Sequence, residues 1–217
     1  MKLRLITLSL IALIILPMGT ALAQGPAKFG FKLGMSVSSL DIDNDRADWE
    51  SRTALAGGGF VAFDLSGIWG LQVEALYVPK GAVTEMIGID ENGESVGDFD
   101  LTYQVNYLEI PILVKISLGE SPLHLLVGPS IALKMSANIK ADDVPTLGGD
   151  VDKIDEEWED IKSSDFCLVF GAGVGLATGF GEVVFDARYT MGLSDIHEGD
   201  SVEVKNSGFL ITAGVSF

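Results

Sequence analysis

The chain has 217 residues, of which 47% are hydrophobic, and a formal net charge of −17 at pH 7. So large an excess of carboxylates argues against a nucleic-acid partner, because phosphate binding needs Lys and Arg in excess. The single cysteine, Cys167, excludes an intramolecular disulfide. It stands in an apolar segment, so we expect a small buried side chain rather than a reactive thiol.

Residues 1–23 have the pattern of a secretory signal peptide. A basic start precedes an apolar run, residues 5–17, and Ala21-Leu-Ala23 supplies the small residues of a cleavage site. The apolar run is shorter than the roughly 17–25 residues of a membrane-spanning helix. We therefore expect cleavage after Ala23 and one mature domain, residues 24–217, with no cofactor.

Eight segments of the mature chain alternate apolar residues with small or polar ones, which is the pattern of half-buried β-strands. In the first, Phe29, Phe31 and Leu33 are separated by small or basic residues, and the last ends on Phe217. The predicted strands are 28–38, 53–65, 71–84, 99–116, 123–136, 166–176, 182–193 and 209–217.

The fourth predicted strand contains a phase error. Its apolar residues stand at odd positions up to Tyr107 and at even positions from Leu108 onward. One extra residue near this point would restore a single apolar face, which is what a β-bulge provides. Pro111 fits the same neighbourhood, because proline lacks a ladder donor. We predict a bulge or bend there.

Period two alone does not say which face of a barrel lies inside, because soluble and membrane barrels place their apolar faces oppositely. No Asp, Glu, Lys or Arg interrupts the apolar face of any predicted strand, and the other face is rich in Gly, Ser and Thr as well as charges. These features, with the signal peptide and Phe217, predict an all-β, eight-stranded antiparallel up-and-down transmembrane barrel in the bacterial outer membrane.

The predicted connections alternate in length. Long ones lie near residues 40–52, 85–98, 138–164 and 195–204, and short ones at 66–70, 118–122 and 178–181. Long extracellular loops and short periplasmic turns are typical of outer-membrane barrels, so we expect both termini in the periplasm. Six aromatic residues are candidates for interfacial belts or for barrel packing: Trp69, Tyr77, Tyr103, Tyr107, Phe180 and Tyr189.

Four short motifs carry a resemblance to a known family. They are Gly70-Leu-Gln-Val-Glu-Ala-Leu-Tyr77 with Lys80-Gly81, Tyr107-Leu-Glu-Ile-Pro111 with Lys115, Gly128-Pro129, and the closing strand to Phe217. With them the chain resembles the PorT-like outer-membrane β-barrel family of Gram-negative bacteria. The resemblance implies an eight-stranded barrel and, for some members, a part in a secretion or envelope-assembly apparatus.

Seven charged residues share the polar face of the predicted strands and should project into the lumen: Lys32, Glu74, Glu109, Lys115, Lys134, Asp186 and Arg188. Charges in a low-dielectric interior must pair or meet water. We expect a salt-bridged plug that fills a barrel too narrow for an open channel. A proton or substrate path is the alternative.

Other motifs favour structure over chemistry. His124 and His197 fall at opposite ends of the barrel, so no catalytic pair is expected and we predict no enzyme. The Asp41–Asp45 segment lacks the glycine and glutamate of a calcium loop. The acidic segment 142–160 suits a solvated loop, with weak cation binding as the alternative and a helical turn within 151–161.

The sequence therefore predicts a non-enzymatic integral outer-membrane protein with a structural or loop-mediated binding role in the envelope. A component of a secretion or assembly apparatus and a narrow solute pore remain alternatives. The expected partners are outer-membrane lipid and lipopolysaccharide, an envelope protein that binds the loops, and the barrel-assembly machinery during insertion. We expect Phe209, Val215 and Phe217 to form the insertion signal.

Overall fold

The computed structural model describes residues 27–42, 49–89, 95–145, 151–199 and 203–217. The predicted signal peptide, residues 1–23, lies outside these ranges, as does part of the Asp41–Asp45 motif. Within them, no helix is long and apolar enough to cross a membrane.

Antiparallel strands form a closed ring. The strands are β1 (Ala27–Ile42), β2 (Glu50–Ser66), β3 (Trp69–Ile89), β4 (Ser95–Ser117), β5 (Leu123–Pro145), β6 (Val151–Glu157), β7 (Ser164–Thr178), β8 (Gly181–Gly192) and β9 (Val204–Ser216). Eight of them pair in the order β4-β3-β2-β1-β9-β8-β7-β5, and pairing of β4 with β5 closes the ring. The pairs between β1 and β9 run from Gly30 with Ser216 to Ile42 with Val204. The predicted eight-stranded up-and-down barrel is confirmed.

Alternate side chains point out of the ring and into it, as a strand requires. On β1, Phe31 is 68% exposed whereas the next residue, Lys32, is 1% exposed. The same contrast holds on β8, where Phe185 is exposed and Asp186 is buried. On β9, Ile211 is likewise exposed. The apolar face of the barrel therefore points outward and the charged residues of these strands point to the axis.

The two ends of the ring differ in the length of their connections. At the short-turn end, tight connections join β2 to β3, β4 to β5 and β7 to β8. Gly67 and Gly119 have φ values of +62° and +65° in two of these turns, a conformation that favours glycine. Trp69, Phe180 and Phe217 are exposed at this end. The opposite end, with the longer connections, is the long-loop end.

Much of what the sequence assigned to loops is strand. β3, β4 and β5 contain 21, 23 and 23 residues, about twice the 9–11 residues of a typical membrane-spanning strand. β6 pairs with the outer part of β5, so the predicted helical turn within 151–161 is wrong. The parts of β3, β4 and β5 farthest from the short turns form, together with β6, a sheet beyond the ring. We call this sheet the strand extension (residues 84–89, 95–101, 137–145 and 151–157).

The bulge lies at the predicted level but on the neighbouring strand. Asn106 pairs with Ser136 and Tyr107 with Lys134, so the extra residue is Met135 of β5. β4 itself keeps its alternation, and Val105 and Tyr107 are buried inside the ring. The phase error therefore arose because the apolar residues of β4 change from the inner to the outer face of the barrel. Of the aromatic candidates, Tyr107 and Tyr103 face inward and pack inside the barrel, whereas Tyr77 and Tyr189 are exposed.

Candidate functional site

Four buried charged side chains meet inside the short-turn half of the barrel. Lys32 of β1 binds Glu74 of β3 at 3.1 Å and also contacts Asp186 of β8. The Arg188 guanidinium donates through both terminal nitrogens to Glu74, with Nη2 to Oε1 at 2.8 Å, and Nη2 also donates to Asp186 at 2.9 Å. The formal charges of the four groups balance, which is the condition for burying them.

Two further polar side chains complete this arrangement. His124 of β5 donates through Nε2 to Asp186 Oδ1 at 2.8 Å, and Gln72 donates to Glu74. A Cβ added to Gly173 would lie 2.1 Å from Asp186 Oδ1 and 2.5 Å from His124 Nε2. Glycine thus leaves the room in which these side chains meet. We call Lys32, Glu74, His124, Asp186 and Arg188 the ion cluster.

A second polar cluster is centred on Lys80. The ammonium group of Lys80 lies 3.0 Å from Glu109 Oε2 and 3.7 Å from the Cys167 sulfur. Ser130 donates to Glu109 Oε1 at 3.1 Å. The four residues come from β3, β4, β5 and β7, so this cluster, like the first, joins strands across the barrel.

A buried carboxylate extends the second cluster toward the long-loop end. Asp165 accepts hydrogen bonds from Ser194 at 2.8 Å and from Asn206 at 3.0 Å. The same Asn206 amide donates to the Tyr107 hydroxyl at 3.2 Å. Asp165 is fully buried, and hydrogen bonds from neutral groups satisfy its oxygens in place of a direct ion pair.

Apolar side chains close the long-loop end of the lumen. We call these residues the mouth cluster: Leu40, Ala82, Val105, Tyr107, Ala132, Ala137, Ile161, Ile196 and Val204. Ile161 and Ile196 come from connections rather than from strands, and both are fully buried. Trp49 and Trp158 each pack edge to face against Tyr103 beside the cluster, with ring centroids 5.3 and 5.1 Å from that of Tyr103.

Polar contacts tie the two connections together. The Lys162 N–H donates to the Ile196 carbonyl at 2.7 Å, and the Lys162 ammonium binds Asp195 Oδ2 at 2.6 Å. Burial opposes the ionisation of Asp195, but hydrogen bonds from Lys162 and from the backbone N–H groups of Val204 and His197 together hold its pKa below the ordinary value. We call these contacts of Lys162 and Asp195 the latch. The latch holds the side chains of Ile161 and Ile196 in the mouth cluster.

Two of the seven predicted lumen residues lie away from both clusters. Lys115 is half-buried at the short-turn end, where it lines a groove of about 380 Å³ with Lys28, Asp64 and Glu182. Lys134 donates to the carbonyl of Ile161 and so supports the mouth. The structure brings together Lys32, Glu74, Asp186 and Arg188, and it places Glu109 beside Lys80.

The sequence reasoning missed several members of the clusters. Lys80 and His124 lie on the charged face of their strands, so the period of two alone was a sufficient signal for them. Asp165 and Asn206 fall at the first residues of their strands, where the alternating pattern is too short to assign a face. The three residues of the predicted insertion signal lie on β9 or directly after it; Phe209 and Phe217 are exposed and Val215 is half-buried.

His124 and His197 do not form a catalytic pair with each other: His124 belongs to the ion cluster, and His197 lies in the connection between β8 and β9. His197 contacts the Asp160 carbonyl through Nδ1, and Asp195 accepts from the backbone N–H of His197 rather than from its ring. In the ranges that the structure describes, no three His, Cys, Asp or Glu side chains are placed to hold a metal ion. What the interior side chains do is bind one another across the lumen.

The outer face of the strand extension carries mostly carboxylates. They line a groove of about 420 Å³ with Phe99, Thr102 and Lys140: Glu85, Asp98, Asp100 and Asp142. Glu85 pairs directly with Asp100 across β3 and β4. The Lys153 ammonium lies 2.7 Å from Asp142 and lowers the pKa of that carboxyl through this hydrogen bond.

The fold is similar to those of several solved outer-membrane proteins. Ail of Yersinia pestis, in complex with the heparin analogue sucrose octasulfate, is 15% identical with a TM-score of 0.42, over 88% of this chain and 99% of that one. Neisserial surface protein A is 12% identical with a TM-score of 0.46, over 88% of this chain and 97% of that one. OprG from Pseudomonas aeruginosa is 14% identical with a TM-score of 0.38, over 89% of this chain and 97% of that one.

No curated protein sequence matches the chain. The model of the outer membrane protein beta-barrel domain family matches residues 22–198. That match covers most of the chain, including β1 to β8. The protein therefore belongs to the outer membrane protein beta-barrel domain family.

Proposed function

We propose that this protein is a non-enzymatic outer-membrane barrel with a closed lumen, which displays its strand extension and loops at the cell surface for binding. The observation that carries the proposal is the contrast between the two ends. Buried side chains fill the lumen at the ion cluster and again at the mouth cluster, which supports a closed lumen. The strand extension continues outward and presents charged groups to solvent.

In this proposal the short-turn end faces the periplasm, with both chain termini there, after removal of residues 1–23. The long-loop end faces the exterior, where lipopolysaccharide surrounds the barrel. Phe209, Val215 and Phe217 are the residues that the barrel-assembly machinery would recognise. The support for the orientation is the difference in connection length, which outer-membrane barrels share.

Site-specific cross-linking in intact cells tests the binding role. A photoreactive residue at Asp98 or Glu157, both exposed, should capture an envelope or extracellular protein. The matched control is the same residue at Gly179 in a short turn, which should be silent to partners outside the cell. Recovery of lipopolysaccharide alone from the outer positions would contradict a protein-binding role. Discrete single-channel conductance of the purified barrel in planar bilayers would contradict the closed lumen.

A second candidate is a component of a secretion or envelope-assembly apparatus, as the PorT-like motifs suggest. The observation that favours it is the groove at the short-turn end, where Lys28, Lys115, Asp64 and Glu182 offer charges of both signs to a periplasmic partner. Purification with mild detergent should then recover a periplasmic or membrane complex, and a Lys28→Glu, Lys115→Glu double variant should release it. Purification of the barrel alone would exclude this candidate.

A further inference from the structure

We propose that the outer edge of β6 binds an extended segment of another protein, antiparallel to β6, with basic residues alternating with apolar ones. The added strand would pair with β6 and enlarge the strand extension by one strand. This inference rests on the surface-binding function proposed above and names the class of partner that the surface fits.

The first step of the argument is the pairing of β6. Its residues pair with β5 from Asn138 with Glu157 to Pro145 with Val151. β6 is the last strand of the sheet order, and among the described residues no strand pairs with its other edge. An exposed strand edge presents N–H and C=O groups that template the pairing of a further chain.

The second step identifies the groups at that edge. The Trp158 N–H donates to the Ala137 carbonyl at 3.0 Å, so position 158 directs its backbone groups to β5. Backbone groups of successive residues in an antiparallel strand point to opposite sides. Ile154 and Glu156 therefore bond toward β5. Lys153, Asp155 and Glu157 direct their N–H and C=O groups to the outer edge, where the two carboxylates outnumber the one ammonium group.

The third step is charge. The outer face of the strand extension carries six carboxylates and two ammonium groups: Glu85, Asp98, Asp100, Asp142, Asp155 and Glu157, with Lys140 and Lys153. The two lysines bind Asp155 and Asp142, at 3.1 and 2.7 Å. Like charges directly opposite each other, as in Glu85 and Asp100, destabilise a sheet. Basic side chains on the same face of an added strand would lie beside Asp155 and Glu157 of β6 and lower the negative charge of this face.

The fourth step is the alternate position. Ile154 pairs with Ala141, which is buried on the inner face of the strand extension. A side chain of the added strand on this face would lie beside Ile154, so an apolar residue fits there. In antiparallel pairing, the residue opposite Asp155 shares both its side-chain face and its hydrogen-bonding direction. The basic residues of the partner must therefore be the ones whose N–H groups bond to β6.

The link between the face of a side chain and the direction of its N–H group can be tested with short peptides. The probe is a seven-residue peptide that alternates lysine and valine, with blocked ends, titrated into the full barrel in detergent micelles. N-methylation of the lysines should weaken binding by about tenfold or more, because it removes the N–H groups that face β6. N-methylation of the valines should leave the affinity unchanged, since those N–H groups face solvent. Binding should also weaken as salt is raised.

Variants of the protein provide the matching control. Asp155→Pro removes an edge N–H and leaves the ladder to β5 intact, because proline is tolerated where the N–H faces outward. Asp155→Asn removes the same charge and keeps the N–H. We expect Asp155→Pro to weaken the peptide about tenfold relative to Asp155→Asn. Circular dichroism of both variants verifies that the barrel is folded.

Three results would overturn the proposal: equal effects of methylation at lysine and valine, a stronger effect at valine, or equal affinities of the two Asp155 variants. Each of these leaves the cross-linking experiment above unaffected. Cross-linking of a surface partner together with any of them would mean that the protein binds through another part of its loops.

Discussion

The two halves of the lumen are filled in opposite ways. In the short-turn half, the ion cluster draws Lys32, Glu74, His124, Asp186 and Arg188 from β1, β3, β5 and β8, four strands that are far apart in sequence. At the long-loop end, the mouth cluster is apolar, and two of its members, Ile161 and Ile196, come from connections. One half is closed by the wall of the barrel itself and the other by segments attached to that wall.

The difference separates what is needed for the ring from what is needed for the mouth. The charges of Lys32, Glu74, Asp186 and Arg188 are uncompensated until the strands that carry their partners are in place. Closure of the ring and pairing of the charges are therefore coupled. The connections that close the mouth can move without breaking a pair of the ring, so their stability is a local property.

The largest effect is expected from Glu74→Gln. Among the described residues, this change leaves Lys32 and Arg188 with Asp186 as their only anionic partner, and removal of one partner of a buried charge network costs about 3–5 kcal/mol. Urea unfolding of the barrel in detergent, followed by tryptophan fluorescence, measures the loss. Glu85→Gln, an exposed carboxylate on the same strand, is the control and should change little. Equal stabilities of the two variants would contradict the role of the ion cluster.

A smaller loss is expected from Gly173→Ala. The added Cβ would overlap Asp186 Oδ1 and His124 Nε2, and overpacking of an interior costs about 1–3 kcal/mol. The same unfolding experiment measures it. Gly179→Ala is the matched control because no atom lies within 4 Å of its added Cβ. If the two alanine variants unfolded at the same urea concentration, the close approach at Gly173 would not matter.

At the mouth, Ile161→Ala with Ile196→Ala should open the connections and leave the ring folded. Two buried isoleucines lose their contacts, and each such truncation costs about 2–5 kcal/mol where it is measured, here within a local unit. Limited proteolysis should cut residues 158–163 or 193–199 faster, whereas the midpoint of urea unfolding should hardly move. A matching fall in global stability would show that the two halves are not separable.

Acid should loosen the same latch. The pKa of Asp195 is held below its ordinary value of 3.8 while the latch is closed. A lowered pKa means that the latch is stabilised above the ordinary pKa and loses that contribution as pH falls through the lowered one. The protection factors of residues 193–199 in hydrogen exchange, corrected for the intrinsic pH dependence of amide exchange, should therefore fall as the pH drops below the ordinary pKa. Asp195→Asn should remove this pH dependence; its persistence would assign the effect to another group.

The smallest effect is expected on the strand extension. Lys153→Ala breaks an ion pair with Asp142 in which both side chains are highly exposed, and such pairs contribute little to stability. The urea midpoint should not change. A measurable loss would mean that this part of β5 and β6 supports the ring, which would weaken the distinction between the barrel and its outer surface.

The barrel was predictable because its outer face is uniform. Exposed apolar residues such as Phe31, Phe185 and Ile211 recur along the outer face, and a period of two assigns all of them to one side. Lys32, Glu74, Asp186 and Arg188 followed from the opposite parity. The sequence pattern thus assigns a face reliably wherever several consecutive residues obey the same environment.

The inner face was less predictable because it is not uniform. Val105 and Tyr107 are apolar and face inward, so an apolar side chain no longer marks the outer face at the level where the lumen changes from charged to apolar. Which charges pair depends on distances across the ring, and nothing local in the sequence encodes that Glu109 meets Lys80 while Lys115 and Lys134 lie elsewhere. The strand extension was missed because its polar alternate residues read as loop.

The extra residue Met135 has a consequence for insertions and deletions. Below it, even positions of β5 face the axis, and above it odd positions such as Ala137 and Ala141 do so. Removing this one residue would leave Ser136 alone between the inward-facing Lys134 and Ala137, so the distal half of the strand would keep its present faces in an unbroken alternation. A single in-frame codon loss at this point would therefore be absorbed by the strand, whereas the same loss elsewhere in β5 would turn every residue on one side of it to the opposite face.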